Sequence, residues 1–162
     1  MKLVLVHCEE KENRLAKGTE LLFGECGMIP ESMEITVEFH DRPEIRVDKK
    51  ENHLHISCRE EAHYYRALSR TLQHFEEESY GYQEEVFFER NGLMLDCSRN
   101  AVFTVEKIKG ILQIMARLGM NVLMLYTEDT YEVEQEPYFG IYRGRYTRDE
   151  LREIETYATV LG

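Results

Sequence analysis

The chain has 162 residues, 31% of them charged, and carries a formal net charge of −11 at pH 7. This acidity argues against nucleic acids and anionic membranes as partners, because both are bound through basic surfaces. No apolar run approaches the ~20 residues of a membrane-spanning helix. The apolar run Leu3–Val6 is too short for a secretion signal, so we expect a cytoplasmic protein.

The cysteines Cys8, Cys26, Cys58 and Cys97 are widely and irregularly spaced. An even number of cysteines is compatible with two disulfides. Without a secretion signal, however, the reduced state is favoured. We therefore expect free thiols.

The first 90 residues show the hydrophobic patterns of a small α+β layer. The predicted strands are Lys2–His7, Met33–Phe39 and Val86–Phe88, the predicted helices are 13–23 and Glu60–Glu77, and Ile45–Ile56 reads as a hairpin. In this hairpin, His53 and His55 share one strand face and Cys58 lies nearby. The set superficially resembles a metal site, but no closing ligands at suitable spacing are visible, and we predict no metal.

The segment from Gly92 to Asp129 is predicted to form a strand, a helix and a second strand. Leu93–Leu95 is a short apolar run, and Thr104 can cap a helix that Gly119 terminates. The run Val122–Tyr126 is apolar without alternation, which is typical of a strand covered on both faces in a parallel sheet.

Polar residues follow both predicted strands of this unit. Asp96, Ser98, Arg99 and Asn100 follow the first strand, and Thr127, Glu128 and Asp129 follow the second. Because the carboxyl ends of parallel strands open onto one edge, where α/β folds bind ligands, these residues are the candidate site.

The same residues carry a family resemblance. Arg90–Arg99 (RNGLMLDCSR) resembles the R-G-x-x-L-D-x-S-R pattern that begins the catalytic barrel of the family 20 glycoside hydrolases, the β-N-acetylhexosaminidases. Glu128-Asp129 is similar to the acidic end of that family's second strand, and Tyr146–Ile154 (YTRDELREI) resembles its Y-T-x-x-E-x-R-E-I. The resemblance is strong over residues 84–162 and general in plan before them.

The resemblance implies a domain plan and an activity. Residues 1–88 would form an α+β non-catalytic N-terminal domain, and residues 89–162 the start of a (β/α)₈ TIM barrel. The whole enzyme would be an exo-acting hydrolase that removes terminal β-linked N-acetylhexosamine by substrate-assisted retaining catalysis. Its substrate would be a carbohydrate, and the sequence holds no motif for a nucleotide or another cofactor.

The resemblance also implies roles for particular residues. Arg99 matches an arginine that clamps hydroxyls of the terminal sugar, while bridging Asp96 is the structural alternative. Asp129 matches an aspartate that holds a histidine beside the catalytic glutamate, while capping a turn is its alternative. We count Glu128 with Asp129 as active-site support. The family's catalytic Asp-Glu pair lies at the fourth strand, so we assign no catalytic residue in this chain.

A complete barrel of this kind needs about 250 residues. We therefore expect the chain to be an incomplete barrel of two βα units, cut after Gly162 and inactive by itself. The unclosed edge of the barrel would favour a homo-oligomer.

The segment Thr127–Tyr146 is a long irregular loop rich in tyrosine, suited equally to sugar stacking, to internal packing or to a dimer contact. A different class of function also stays open for the whole chain. It could be a stand-alone α/β interaction module that shares the βαβ pattern without hydrolysing anything.

Overall fold

The computed structural model describes residues 5–8, 11–24, 29–30, 32–98 and 102–162. Its strands are β1 (Leu5–His7), β2 (Glu34–Phe39), β3 (Glu44–Lys50), β4 (His53–Cys58), β5 (Ser79–Glu85), β6 (Gly92–Asp96) and β7 (Val122–Tyr126). Its helices are α1 (Glu12–Phe23), α2 (Glu61–Thr71), which continues as a 3₁₀ turn over Leu72–His74, α3 (Val105–Leu118) and α4 (Arg148–Val160). No described helix is long and apolar enough to cross a membrane.

The first sheet has the strand order β1-β2-β4-β3-β5 in the described part of the chain. β1, β2 and β4 run parallel, and β3 is antiparallel to both β4 and β5. Alternation decides which face is covered: Ile35 and Val37 of β2 are buried, and Glu34 and Thr36 are exposed. The predicted hairpin is confirmed, and its turn places Glu51 at a φ of 50°.

The last strand of this sheet differs from the prediction. The expectation of a strand at Val86–Phe88 is wrong, since the strand is β5 and Phe87 and Phe88 are 78% and 72% exposed. Tyr80 and Tyr82 of β5 alternate with polar residues, and Arg70 of α2 lies 4.3 Å from the Tyr82 ring. Amphipathic tyrosines therefore cover this face of the sheet, whereas the prediction was based on a run of fully apolar side chains.

β6 and β7 form a separate parallel pair, in register from Gly92 opposite Val122 to Asp96 opposite Tyr126. The helix between them begins and ends where predicted: the Thr104 hydroxyl accepts from the Lys107 amide, and Gly119 adopts a φ of 74°.

The expected cover on both faces of β7 is wrong for the described residues. Met94 and Met124 are 63% and 55% exposed, so one face of the pair is open. The other face packs on α3 and α4, which supply Ile108, Leu112 and Ile154 to the core.

α4 begins with a capping box, in which the Thr147 and Glu150 side chains each bond the other residue's amide. Leu161 is the C-cap of α4, and Gly162 follows at a φ of 86°. Gly162 reaches the start of α2, where an added Cβ would lie 2.9 Å from Glu61.

One continuous hydrophobic cluster crosses the predicted domain boundary at residue 88. Side chains also cap helices across it. Arg117 donates to the Leu22 carbonyl, Arg66 donates to the Leu118 carbonyl at 3.1 Å, and the Tyr65 hydroxyl donates to the Val160 carbonyl at 3.0 Å. The boundary stays a prediction, but the two parts share their packing.

The described cysteines Cys8, Cys58 and Cys97 are free thiols, and Cys26 lies outside the described residues. His53 pairs with Glu34 at 3.0 Å, and His55 lies 3.6 Å from Glu38. Cys58 is fully buried, while the two imidazoles are exposed to solvent, so the three side chains do not form a cluster.

Candidate functional site

The carboxyl ends of β6 and β7 meet at one edge, as parallel strands require. The Cys97 amide donates to the Tyr126 carbonyl at 2.8 Å, which extends the pairing by one residue. Asp96 then turns the chain: its Oδ1 accepts from the Ser98 amide at 2.9 Å and also from the Ser98 hydroxyl. A carboxylate that bonds the amide two residues on is a local turn former, so Asp96 shapes this strand end.

Arg143 joins the two strand ends. Its Nη1 lies 3.5 Å from the Ser98 carbonyl, and its Nε lies 3.6 Å from Asp129 Oδ1. Sequence reasoning missed Arg143, because it comes from the irregular loop, where no periodicity places a side chain. Its positive charge, which suits a position near an acidic strand end, is the feature that could have suggested it.

The two acidic residues after β7 have different surroundings. Glu128 is exposed and lies 3.5 Å from the Tyr126 hydroxyl, whereas the Asp129 side chain is 39% exposed beside Arg143. Gly140 packs closely against the backbone of Asp129. Its φ is 67°, and an added Cβ would lie 1.9 Å from the Asp129 carbonyl oxygen. The loop therefore fixes the backbone of Asp129 through a position that only glycine fits.

The aromatic residues of the loop divide into two groups. Tyr146 is 3% exposed, and Tyr131 packs edge-on against Phe139 with ring centroids 5.4 Å apart. Tyr138 and Tyr142 are 80% and 98% exposed. Internal packing thus accounts for part of the loop, and the exposed pair is available for contact with a ligand or partner.

Arg99, the principal sugar-binding candidate, lies outside the described residues. Its neighbours are placed: Ser98 is buried at the end of β6, and Phe103 precedes the N-cap of α3. The site that the structure describes is therefore Asp96, Ser98, Asp129 and Arg143, with Glu128 at its rim. Within the described ranges, no group of three or more metal-ligand side chains lies close enough together to hold an ion.

The class that this fold defines is a mixed α/β protein, in which a sheet with helices precedes a parallel βαβα unit. No family model matches the sequence, and no curated protein matches it. Several solved structures match it in fold. A chitobiase from Flavobacterium johnsoniae matches 99% of the chain with a TM-score of 0.73 and 20% identity.

Further matches belong to the same family of enzymes. An exo-β-N-acetylglucosaminidase of family 20 from Vibrio harveyi matches 100% of the chain, with a TM-score of 0.73 and 19% identity. A β-hexosaminidase from Streptomyces plicatus matches 98%, with a TM-score of 0.74 and 19% identity. At these identities the likeness is one of fold. The chain spans 30%, 32% and 39% of the lengths of these solved chains.

Proposed function

We propose that the chain forms the N-terminal part of an exo-acting β-N-acetylhexosaminidase, with residues 1–88 as its non-catalytic domain and 89–162 as the first two βα units of its barrel. The observation that carries this proposal is the fold likeness, which extends over 98–100% of the chain. The convergence of Asp96, Ser98 and Asp129 at the carboxyl ends of parallel strands supports it, because barrel enzymes build their sites there.

The proposed reaction is substrate-assisted hydrolysis of a terminal β-linked N-acetylhexosamine. The carbonyl oxygen of the substrate's own acetamido group attacks the anomeric carbon as the leaving oxygen takes a proton from a carboxylic acid. Water then opens the cyclic intermediate with retained configuration. The acid and the acetamido-orienting aspartate belong to a part of the enzyme outside this chain.

Within this chain, binding and support are the proposed tasks. Arg99 would grip sugar hydroxyls, since a guanidinium offers several fixed donors and no acceptor. Asp129 would support the acid through a histidine outside the chain. Arg143 lies beside Asp129 and would orient this carboxylate, and Glu128 adds negative charge at the rim.

The first test concerns where activity resides. A protein expressed from the reading frame continued past Gly162 should hydrolyse a chromogenic β-N-acetylglucosaminide, and the 162-residue chain alone should show no turnover above buffer. Turnover by the chain alone would overturn the placement of the catalytic pair. A stop codon directly after Gly162 would instead favour the interaction module.

Arg99 provides the sharper test within the longer protein. Arg99→Ala removes charge-assisted hydrogen bonds worth ~1.5–3 kcal/mol each, so kcat/KM should fall on the order of a hundredfold. Arg99→Lys keeps the charge but loses the planar fork and should not restore activity. The melting temperature should hardly change. Activity within a few-fold of the parent, together with a large loss of stability, would show that Arg99 is a structural bridge.

A further inference from the structure

Tyr146 connects the segments that carry the candidate site. Its backbone pairs with the segment after β7: the Tyr146 amide donates to the Thr130 carbonyl, and the Glu132 amide donates to the Tyr146 carbonyl, each at 2.9 Å. These bonds fix the chain one to three residues beyond Asp129. The next residue, Thr147, is the N-cap of α4, so the segment is also anchored on its other side.

The side chain of Tyr146 reaches the other strand end. Its hydroxyl donates to the Phe103 carbonyl at 2.6 Å and lies 3.6 Å from the Cys97 Sγ. Burial, followed by the contact with Cys97, raises the pKa of Tyr146, so the hydroxyl carries its proton at neutral pH.

We infer that Tyr146 is a positioning residue, which holds the segment after β6 and the segment after β7 in one fixed arrangement. Its contacts on the β6 side, Cys97 and Phe103, lie on either side of residues 98–102. Its contacts on the β7 side directly follow Asp129. A single residue thus sets the spacing between the two halves of the site, with its side chain on the β6 side and its backbone on the β7 side. The effect on a sugar rests on the proposed function, whereas the effect on the strand ends does not.

A comparison within the molecule separates positioning from ordinary core packing. Tyr65 is also fully buried, and its hydroxyl also donates to a backbone carbonyl, that of Val160 at 3.0 Å. The Tyr65 bond joins α2 to the end of α4 and contacts neither strand end. Tyr65→Phe is therefore a matched control that removes the same chemical group from a similar environment.

The first experiment follows amide hydrogen exchange by NMR in the 162-residue chain. The Cys97 and Glu132 amides are hydrogen-bonded at the two strand ends and report their opening. In Tyr146→Phe these amides should exchange about fivefold faster relative to the amides of β4, the factor expected from the net loss of one hydrogen bond. In Tyr65→Phe their exchange relative to β4 should be that of the parent.

A second experiment measures the longer protein with a chromogenic N-acetylhexosaminide. Tyr146→Phe should lower kcat/KM by about fivefold or more, and Tyr65→Phe should leave it within twofold, because a misplaced site loses rate that a distant packing change does not. If the parent itself has no such activity, the proposed function fails, and the exchange result alone decides the role of Tyr146.

Two results would overturn the inference. One is a uniform acceleration of exchange across the chain in Tyr146→Phe, matching that in Tyr65→Phe, which would make Tyr146 a core residue only. The other is unchanged exchange at Cys97 and Glu132 in Tyr146→Phe, which would show that the hydroxyl does not hold the strand ends.

Discussion

At the scale of single residues, the junction between the first sheet and the βαβα unit is held by a polar network around the buried side chain of His63. His63 is 5% exposed, and its Nε2 lies 3.2 Å from Glu60 Oε1. The same oxygen accepts from Asn121 Nδ2 at 2.8 Å, and this nitrogen also donates to the Glu89 carbonyl at 2.8 Å. The imidazole thus belongs to a network that joins α2, the segment before β6 and the start of β7.

The charge state of His63 depends on this packing. Burial lowers the pKa of His63, and the positive charges of Arg59 and Arg66 lower it further, while Glu60 and Glu84 oppose them. The folded protein therefore binds this proton less readily than the unfolded chain, in which the pKa of histidine is about 6.5. Stability from His63 is then fully present above about pH 6.5 and is lost as the pH falls toward the lowered folded pKa.

We predict that His63→Gln loses less free energy of unfolding than the parent on acidification from pH 7.5 to 5.5. One proton contributes at most about 1.4 kcal/mol per pH unit, and this sets the upper limit of the difference. Urea unfolding at a series of pH values measures it. Tyr65→Phe, a non-titrating change in the same helix, should keep the parent's pH dependence. Parallel profiles for the parent and His63→Gln would contradict the assignment.

At the scale of elements, α3 is the helix most completely specified by its own sequence. Thr104 caps its start, Gly119 ends it in the left-handed conformation, and Ile108, Leu112 and Met115 form its buried stripe. Gly110 is the exception, because glycine is a poor helix former and an added Cβ there would meet no atom of the described residues within 4 Å.

Gly110→Ala should therefore stabilise the protein by about 0.5–1 kcal/mol, since alanine loses less backbone entropy in a helix. The matched change Gly119→Ala should destabilise it, because φ is 74° and the new Cβ would lie 2.8 Å from Arg66 Cδ. The melting temperature followed by circular dichroism should rise for the first variant and fall for the second. A lower melting temperature for Gly110→Ala would mean that α3 tolerates no further side chain at this position.

The contrast between α3 and β5 shows what the sequence could predict. Caps and a 3.6-residue apolar period are local signals, so α3 and α4 could be located from them. β5 could not, because Tyr80 and Tyr82 bury only part of each ring and the strand looks polar. Its identity is decided by pairing with β3, which lies about 35 residues earlier in the sequence.

The candidate site also contains residues that the sequence could place and residues that it could not. The positions of Asp96 and Asp129 follow from the rule that parallel strands open onto one edge. Arg143 and Tyr146 could not be placed, since an irregular loop has no period and tertiary contacts alone determine where its side chains lie. The structure does not describe Arg99, so its role stays a prediction.

At the scale of the whole molecule, the two parts of the chain hold each other's helix ends. Because Arg117, Arg66 and Tyr65 each satisfy a terminal carbonyl across the predicted boundary, neither part has its helix ends capped in the same way without the other. The first sheet is thus a support for α3 and α4, and through them for β6 and β7.

The βαβα unit leaves apolar surface uncovered on several sides within the described residues. The open face of the β6–β7 pair exposes Met94 and Met124, and α3 exposes Ile114 and Leu118 by 58% and 48%. Beside β7, α3 and α4 enclose a groove of about 560 Å³. Its apolar lining includes Leu112, Leu123, Leu151 and Ile154.

We predict that the 162-residue chain self-associates through the open β6–β7 face, because exposed apolar faces next to unpaired strand edges tend to bind other chains. Light scattering coupled to gel filtration should show a mass that rises with concentration. Met124→Lys should shift the distribution toward the monomer without changing the circular dichroism spectrum, since Met124 is more than half exposed. Thr36→Lys, an equal change of charge on the exposed polar face of the first sheet, should leave association as in the parent. A monomer at every concentration, or equal effects of the two lysine variants, would show that the open β6–β7 face is not the contact.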